Sequence, residues 1–172
     1  MSADTPRRIV LLRHAKADWP QVSDHERPLA ERGRTEAATS GRRLADTGIG
    51  FDLALCSTAV RTRETWKIAV HELPHRPKTV YEERMYEATL GDLLALVNET
   101  PDDVADLLLI GHNPGMHALA DVLSAGAEGD AMARMTQGGF PTAAFAVVGF
   151  EGSWKTVEHG AGRLLDYWAP HD

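Results

Sequence analysis

The 172-residue sequence has one cysteine, Cys56, so no internal disulfide is possible; a reducing compartment fits. No stretch approaches the roughly 20 apolar residues of a membrane-spanning helix. Met1 to Arg8 is polar and lacks the apolar centre of a secretory signal. There is no internal repeat, no low-complexity segment and no linker. Positive charge is also scarce: 18 Lys and Arg against 25 Asp and Glu leave a formal charge of −7. That balance argues against non-specific binding to nucleic acid or to an anionic membrane. Any anion site must therefore be a local positive pocket. These features lead us to expect a cytoplasmic protein, with residues 1–172 forming a single domain large enough to bury its own core.

What is present alternates between apolar runs and amphipathic stretches. Arg8–Leu12, Asp52–Cys56 and Leu107–Ile110 read as buried strands, with a shorter one at Thr79–Tyr81. Helices are expected from Leu29 to about Ala45, stopped near Gly48, and from a cap at Ser57 or Thr58 to about Val70. Thr89 and Asp92 resemble a capping box for a helix carrying Leu93, Leu94, Leu96 and Val97. Asn113-Pro114 opens another, carrying Met116, Leu119, Ala120 and Leu123. Ala143–Phe150 and Trp154–His159 flank Glu151-Gly152-Ser153 as a hairpin. The alternation predicts a three-layer α/β/α sandwich on a mostly parallel sheet, with the hairpin supplying an antiparallel edge strand.

In such a sheet, ligands gather at the carboxyl ends of the strands. Arg13-His14 follows the first strand, Ser57 to Thr62 with Arg61 follows the second, and Gly111-His112-Asn113-Pro114-Gly115 follows Leu107–Ile110. Two arginines and two histidines thus converge beside two helix N-termini, an arrangement suited to a multiply charged oxyanion. Neighbouring positive charge keeps a histidine neutral, and a neutral imidazole in line with phosphorus can accept the phosphoryl group. Arginines on the equatorial oxygens would each contribute roughly 3 kcal/mol to the transition state.

The run Leu11-Leu12-Arg13-His14-Ala15, the Ser57–Thr65 segment with Arg61, and Gly111-His112-Asn113-Pro114 together resemble the histidine phosphatase superfamily. Arg27-Pro28-Leu29 followed by Gly33 adds to the likeness, which runs from Arg8 to about Leu123 and points to the small phosphohistidine phosphatase (SixA-type) branch. The resemblance implies a phosphoglycerate mutase-like fold and a metal-independent phosphatase that needs no cofactor. It makes His14 the nucleophile that is phosphorylated. Arg13 and Arg61 would be the phosphate clamp, His112 a hydrogen-bond donor to the phosphoryl group, and Arg27 a further phosphate ligand. Larger relatives protonate the leaving group with an acidic residue, for which Glu87 is the candidate. They also carry a helical lid between the second and third long strands. Val70–Asp106 already has to hold a loop, a strand and a helix, so no large lid insertion is expected. An open site suits a phosphorylated protein or a bulky phosphoester.

Other polar residues have plainer readings. Ser57 is expected to cap a helix, Cys56 to fill core, and Asp24, Glu26 and Glu31 to form a solvated loop face. His71 with His75, and His112 with His117, lack the spacing of a shared metal site. Trp154, Tyr167 and Trp168 are expected to pack. Two other functions use the same pocket. A phospho-ligand binding module would have no need of His14, and a phosphomutase would need a lid to retain its intermediate.

Overall fold

The computed structural model of the protein describes residues 6–170. Seven strands and five α-helices follow one another as β1 (Pro6–Arg13), α1 (Glu31–Asp46), β2 (Leu53–Ser57), α2 (Val60–Ala69), β3 (Lys78–Glu82), α3 (Leu90–Asn98), β4 (Asp106–Gly111), α4 (Gly115–Leu123), β5 (Ser124–Ala127), α5 (Ala131–Gly138), β6 (Phe145–Glu151) and β7 (Gly162–Trp168). They build the expected three-layer α/β/α sandwich around one mixed sheet of order β3-β2-β4-β1-β6-β7-β5.

The central strands are apolar on both faces because both faces are covered. Ile9 and Leu11 of β1, with Leu107 and Leu109 of β4, pack beneath α3 and α4. Val10, Leu12, Leu108 and Ile110 point the other way, toward Leu44 of α1 and Trp66 of α2. Strands β3, β2, β4 and β1 run parallel in that spatial order, with Arg13 opposite Gly111 and Cys56 opposite Ile110. Their carboxyl ends therefore share one edge. No helix among the described residues is long and apolar enough to cross a membrane.

Four details differ from the sequence reading. The reversed strand β6 lies inside the sheet, between β1 and β7, and the edge is formed by β5 running parallel to β7. Trp154–His159 does not pair as a strand; Trp154–Thr156 is a 3₁₀ turn, and the second arm of the hairpin is β7. The cause is Trp154 itself. It is fully buried, its indole Nε1 donates to the Val104 carbonyl at 2.7 Å, and the Arg7 guanidinium lies 5.7 Å from its ring centroid. That anchoring pulls the chain under the amino end of β1. Strand β5 and helix α5 carry too few large apolar residues to announce themselves. Finally, α2 starts after Ala59 with no side-chain cap, which leaves the Ser57 hydroxyl for another partner. By contrast Thr89 and Asp92 form a complete capping box.

Trp154 sits at the sheet end opposite His14, so Trp154→Ala should cost about 4 kcal/mol of stability by cavity formation without moving the reactive edge. Denaturant unfolding checks this; a loss below about 1 kcal/mol would show that the indole is not the anchor.

Candidate active site

The backbone at the end of β1 is held on every side. His14 N–H donates to the Gly111 carbonyl at 3.0 Å, and the His14 carbonyl accepts from Ala143 N–H at 3.0 Å. Ala15 N–H donates to the Thr65 hydroxyl at 3.0 Å, and that hydroxyl donates in turn to the Arg61 carbonyl at 2.7 Å. A Cβ at Gly33 would collide with the Lys16 carbonyl oxygen, so the first turn of α1 can close on this segment only with glycine there. Ala143 holds a left-handed φ of 65°, a conformation that costs an alanine energy and marks a constrained segment.

His14 is 8% exposed, and its Nδ1 lies 2.7 Å from the Ala15 carbonyl oxygen. A carbonyl can only accept, so Nδ1 carries the ring proton and Nε2 keeps its lone pair. Burial pulls the imidazole down to about 3, with His112, Arg13 and Arg61 acting in the same direction against the Ala15 carbonyl. His112, its ring centroid 5.3 Å from that of His14, is pulled down to about 4 by burial and by the Arg61 charge. His112 Nε2 is 2.7 Å from the Ser57 hydroxyl. Ser57 is therefore a positioning contact for His112 and not the helix cap expected from its place after β2.

Arg13 donates to the Phe140 carbonyl at 3.0 Å, and Asn113 donates to the same oxygen at 2.7 Å. Both terminal nitrogens of Arg61 go to Asp24, one to its carbonyl at 2.7 Å and one to Oδ2 at 3.1 Å. Arg27 donates to Asp24 Oδ1 at 3.1 Å and to the Asp18 carbonyl at 2.9 Å, and its guanidinium lies 3.3 Å from the Trp19 ring centroid. The Tyr86 hydroxyl donates to Asp24 Oδ2 at 2.6 Å. Asp24 is exposed, as expected of a loop face, yet it also ties Arg27, Arg61 and Tyr86 together. Tyr86 first, then Arg27 and Arg61, hold its carboxyl well below the usual carboxylate range. The same contact pushes the Tyr86 hydroxyl up to about 12.

Three buried side-chain nitrogens are left without a partner among the described residues: Arg13 Nε, Arg61 Nε and His112 Nδ1. All three belong to this site. Unpaired buried polar atoms are costly, so their concentration here favours a ligand that would accept from them. His14, Arg13, Arg61 and His112 therefore come together, with Arg27 tied to Arg61 through Asp24. Glu87 stands apart: it is exposed and makes no hydrogen bond or ion pair among the described residues. It does line a cavity of about 170 Å³ with His112 and Asn113, and it holds a left-handed φ of 57°. No group of three or more His, Cys, Asp or Glu among the described residues could hold a metal ion.

Comparison with known proteins places the chain in a family. The family model of the histidine phosphatase superfamily, branch 1, matches residues 9–109. An uncharacterized protein of Mycobacterium tuberculosis is 38% identical over 161 residues, covering 92% of this chain and 99% of the relative. A solved structure from Agrobacterium tumefaciens, provisionally named a SixA phosphohistidine phosphatase, is 33% identical at a TM-score of 0.79, covering 96% of this chain and 99% of that one. A similarly named structure from Nakamurella multipartitia reaches a TM-score of 0.82 at 26% identity, over 99% of this chain and 100% of that one.

Both imidazoles sit below their ordinary value, so the unfolded chain takes up protons first as the pH falls. Stability is then complete above about 6.5 and declines as the pH drops toward about 4 and 3. Nitrogen-15 NMR at pH about 5.5 should find both rings neutral, with the His14 proton on Nδ1. A His14 midpoint near 6.5 would contradict the desolvated site.

Proposed function

Because the chain belongs to the histidine phosphatase superfamily, we propose that it hydrolyses phosphoryl groups through a covalent phosphohistidine on His14. The substrates are protein phosphohistidine, another phosphorylated protein side chain, or a small phosphoester. The observation that carries this reading is the His14 ring itself: protonated on Nδ1, neutral through burial, and set among three unpartnered buried nitrogens.

In the first step Nε2 of His14 attacks phosphorus. The bond from phosphorus to the leaving oxygen or nitrogen breaks, and its electron pair stays with the leaving atom, which takes a proton. In the second step water attacks the phosphohistidine. The P–N bond returns its electrons to Nε2, and inorganic phosphate departs with the remaining proton of the balance. Arg13 and Arg61 neutralise the equatorial oxygens. With Ser57 donating to Nε2, His112 carries its proton on Nδ1 and gives it as a hydrogen bond to the phosphoryl group. Asp24 orients Arg61 and Arg27, and through Arg27 the phosphate seat extends toward the solvent side. Glu87 is the candidate donor to the leaving atom. Tyr86 is unsuited to that task, since its proton is committed to Asp24. The names of the structural relatives support phosphohistidine as the substrate. No metal or cofactor enters this scheme, and we read residues 1–172 as one catalytic domain acting in the cytoplasm.

The chain should hydrolyse p-nitrophenyl phosphate in the presence of a chelator. His14→Ala should lower kcat by at least about 10³-fold with the fold intact by circular dichroism. Arg61→Ala should cost about 10²–10³-fold in kcat. Near-normal turnover by His14→Ala would remove the nucleophile assignment. Vanadate binding without any hydrolysis by the unaltered chain would make this a binding module, and phosphoryl return to a second position on the substrate would make it a mutase.

A further inference from the structure

A groove of about 930 Å³ runs between α2 and β3, the outermost strand of the parallel half of the sheet. It begins at the reactive edge. His25 Nε2 lies 2.9 Å from the Thr58 hydroxyl at its mouth, and the His25 ring meets Tyr86 edge-on at 4.8 Å. Tyr86 in turn bonds Asp24 and lies 5.7 Å from His112 by ring centroids. The mouth of the groove thus borders the residues packed around His112 and Asp24.

The groove is positive in a negative protein. Arg63 and Lys67, one helical turn apart on α2, and Arg76 in the loop before β3 are exposed along it. None of the three forms an ion pair among the described residues, whereas Arg27, Arg34, Arg42, Arg61 and Arg84 all do. The one acidic residue along the groove, Glu64, is already committed to Arg34 at 3.0 Å and to Leu29 N–H at 2.8 Å. In a chain of formal charge −7, three uncompensated cations on one wall are a concentrated attraction for an anionic ligand.

The other wall favours a polypeptide. Among the described residues β3 pairs only with β2, so its outer backbone edge is open to another strand. Tyr81 on that strand is 52% exposed and offers a flat apolar surface beside the cations. We infer that this groove docks an acidic polypeptide segment lying next to the phosphorylated residue of a protein substrate. The inference rests on the phosphatase reading above and adds the flanking charge of the substrate to it.

Two phosphopeptides with the same phosphorylated residue test it, one flanked by Glu and Asp and the other by Ser. The acidic peptide should show a kcat/KM on the order of tenfold higher at low salt, carried by KM, with the advantage fading as salt is added. A Lys67→Glu, Arg76→Glu double variant should lose that preference, while p-nitrophenyl phosphate reports the reactive centre separately and should be turned over as before. Equal rates on the two peptides, or a preference that survives the double variant, would overturn the docking groove. So would peptide indifference combined with competitive inhibition by a small polyanion such as tripolyphosphate, which would assign the groove to a small molecule. Binding of a fluorescein-labelled, unphosphorylated Glu-rich peptide to the full chain separates the two claims. If the chain hydrolyses nothing, the phosphatase reading fails, yet weaker binding of this peptide to the double variant would still support the groove. Equal binding to both forms would count against it.

Discussion

The parallel ladders that join β1 to β4 and β4 to β2 set the register on which the reactive edge depends. Arg13 opposite Gly111 and Cys56 opposite Ile110 bring His14, Ser57 and His112 to one line. A slip of one residue in either ladder would turn a row of buried side chains to the wrong face. Here both faces are covered, so a slip would also misalign Val10, Leu12, Leu108 and Ile110 against α1 and α2. The core that fixes the fold is in this sense the device that positions the imidazoles.

Electrostatics at that edge follow from burial more than from any single ion pair. His14 and His112 are lowered first by loss of water and then by the neighbouring cations. The cations need compensation of their own, and Asp24 supplies it by bonding Arg27, Arg61 and Tyr86 together. Asp24 takes both terminal nitrogens of Arg61, one on its backbone carbonyl and one on its carboxylate, and leaves Arg61 Nε unpaired like Arg13 Nε and His112 Nδ1. These contacts exist without a ligand, and under the proposed mechanism such an arrangement would spare the reorganisation that otherwise opposes the transition state. Two left-handed non-glycine residues, Glu87 and Ala143, flank the same edge. Backbone strain of that kind survives where surrounding contacts over-determine it.

Much of this was legible in the sequence where apolar periodicity carried the signal. Ile9–Leu12 and Leu107–Ile110 are continuous apolar runs, so their ends could be read, and with them Arg13, His14 and His112. The place of Arg61 followed from the short distance between β2 and α2. The role of Asp24 was hidden because it depends on contacts with residues 37 and 62 positions away, across a loop without periodicity. Ser57 looked like a cap because the residue type suits one, and only the approach of His112 redirects its hydroxyl. Trp154 read as a strand residue by type, while its buried hydrogen bond to Val104 makes a turn. The interior position of β6 is a matter of which neighbours it finds on either side, and local pattern does not encode that. Glu87 was placed by analogy with larger relatives. Its exposure and its lack of partners among the described residues leave proton donation to the leaving atom as the least constrained part of the proposed mechanism.

The central claim is that the desolvated Nε2 of His14 takes the phosphoryl group. Rapid acid-free quench during turnover, followed by mass spectrometry of peptides under alkaline conditions, tests it most directly. The account predicts an added phosphoryl group on the peptide containing His14, stable in alkali, lost in acid and absent from His14→Ala. Turnover with no phosphorylated histidine in the quenched chain, or with the group found on Ser57 or His112, would contradict it.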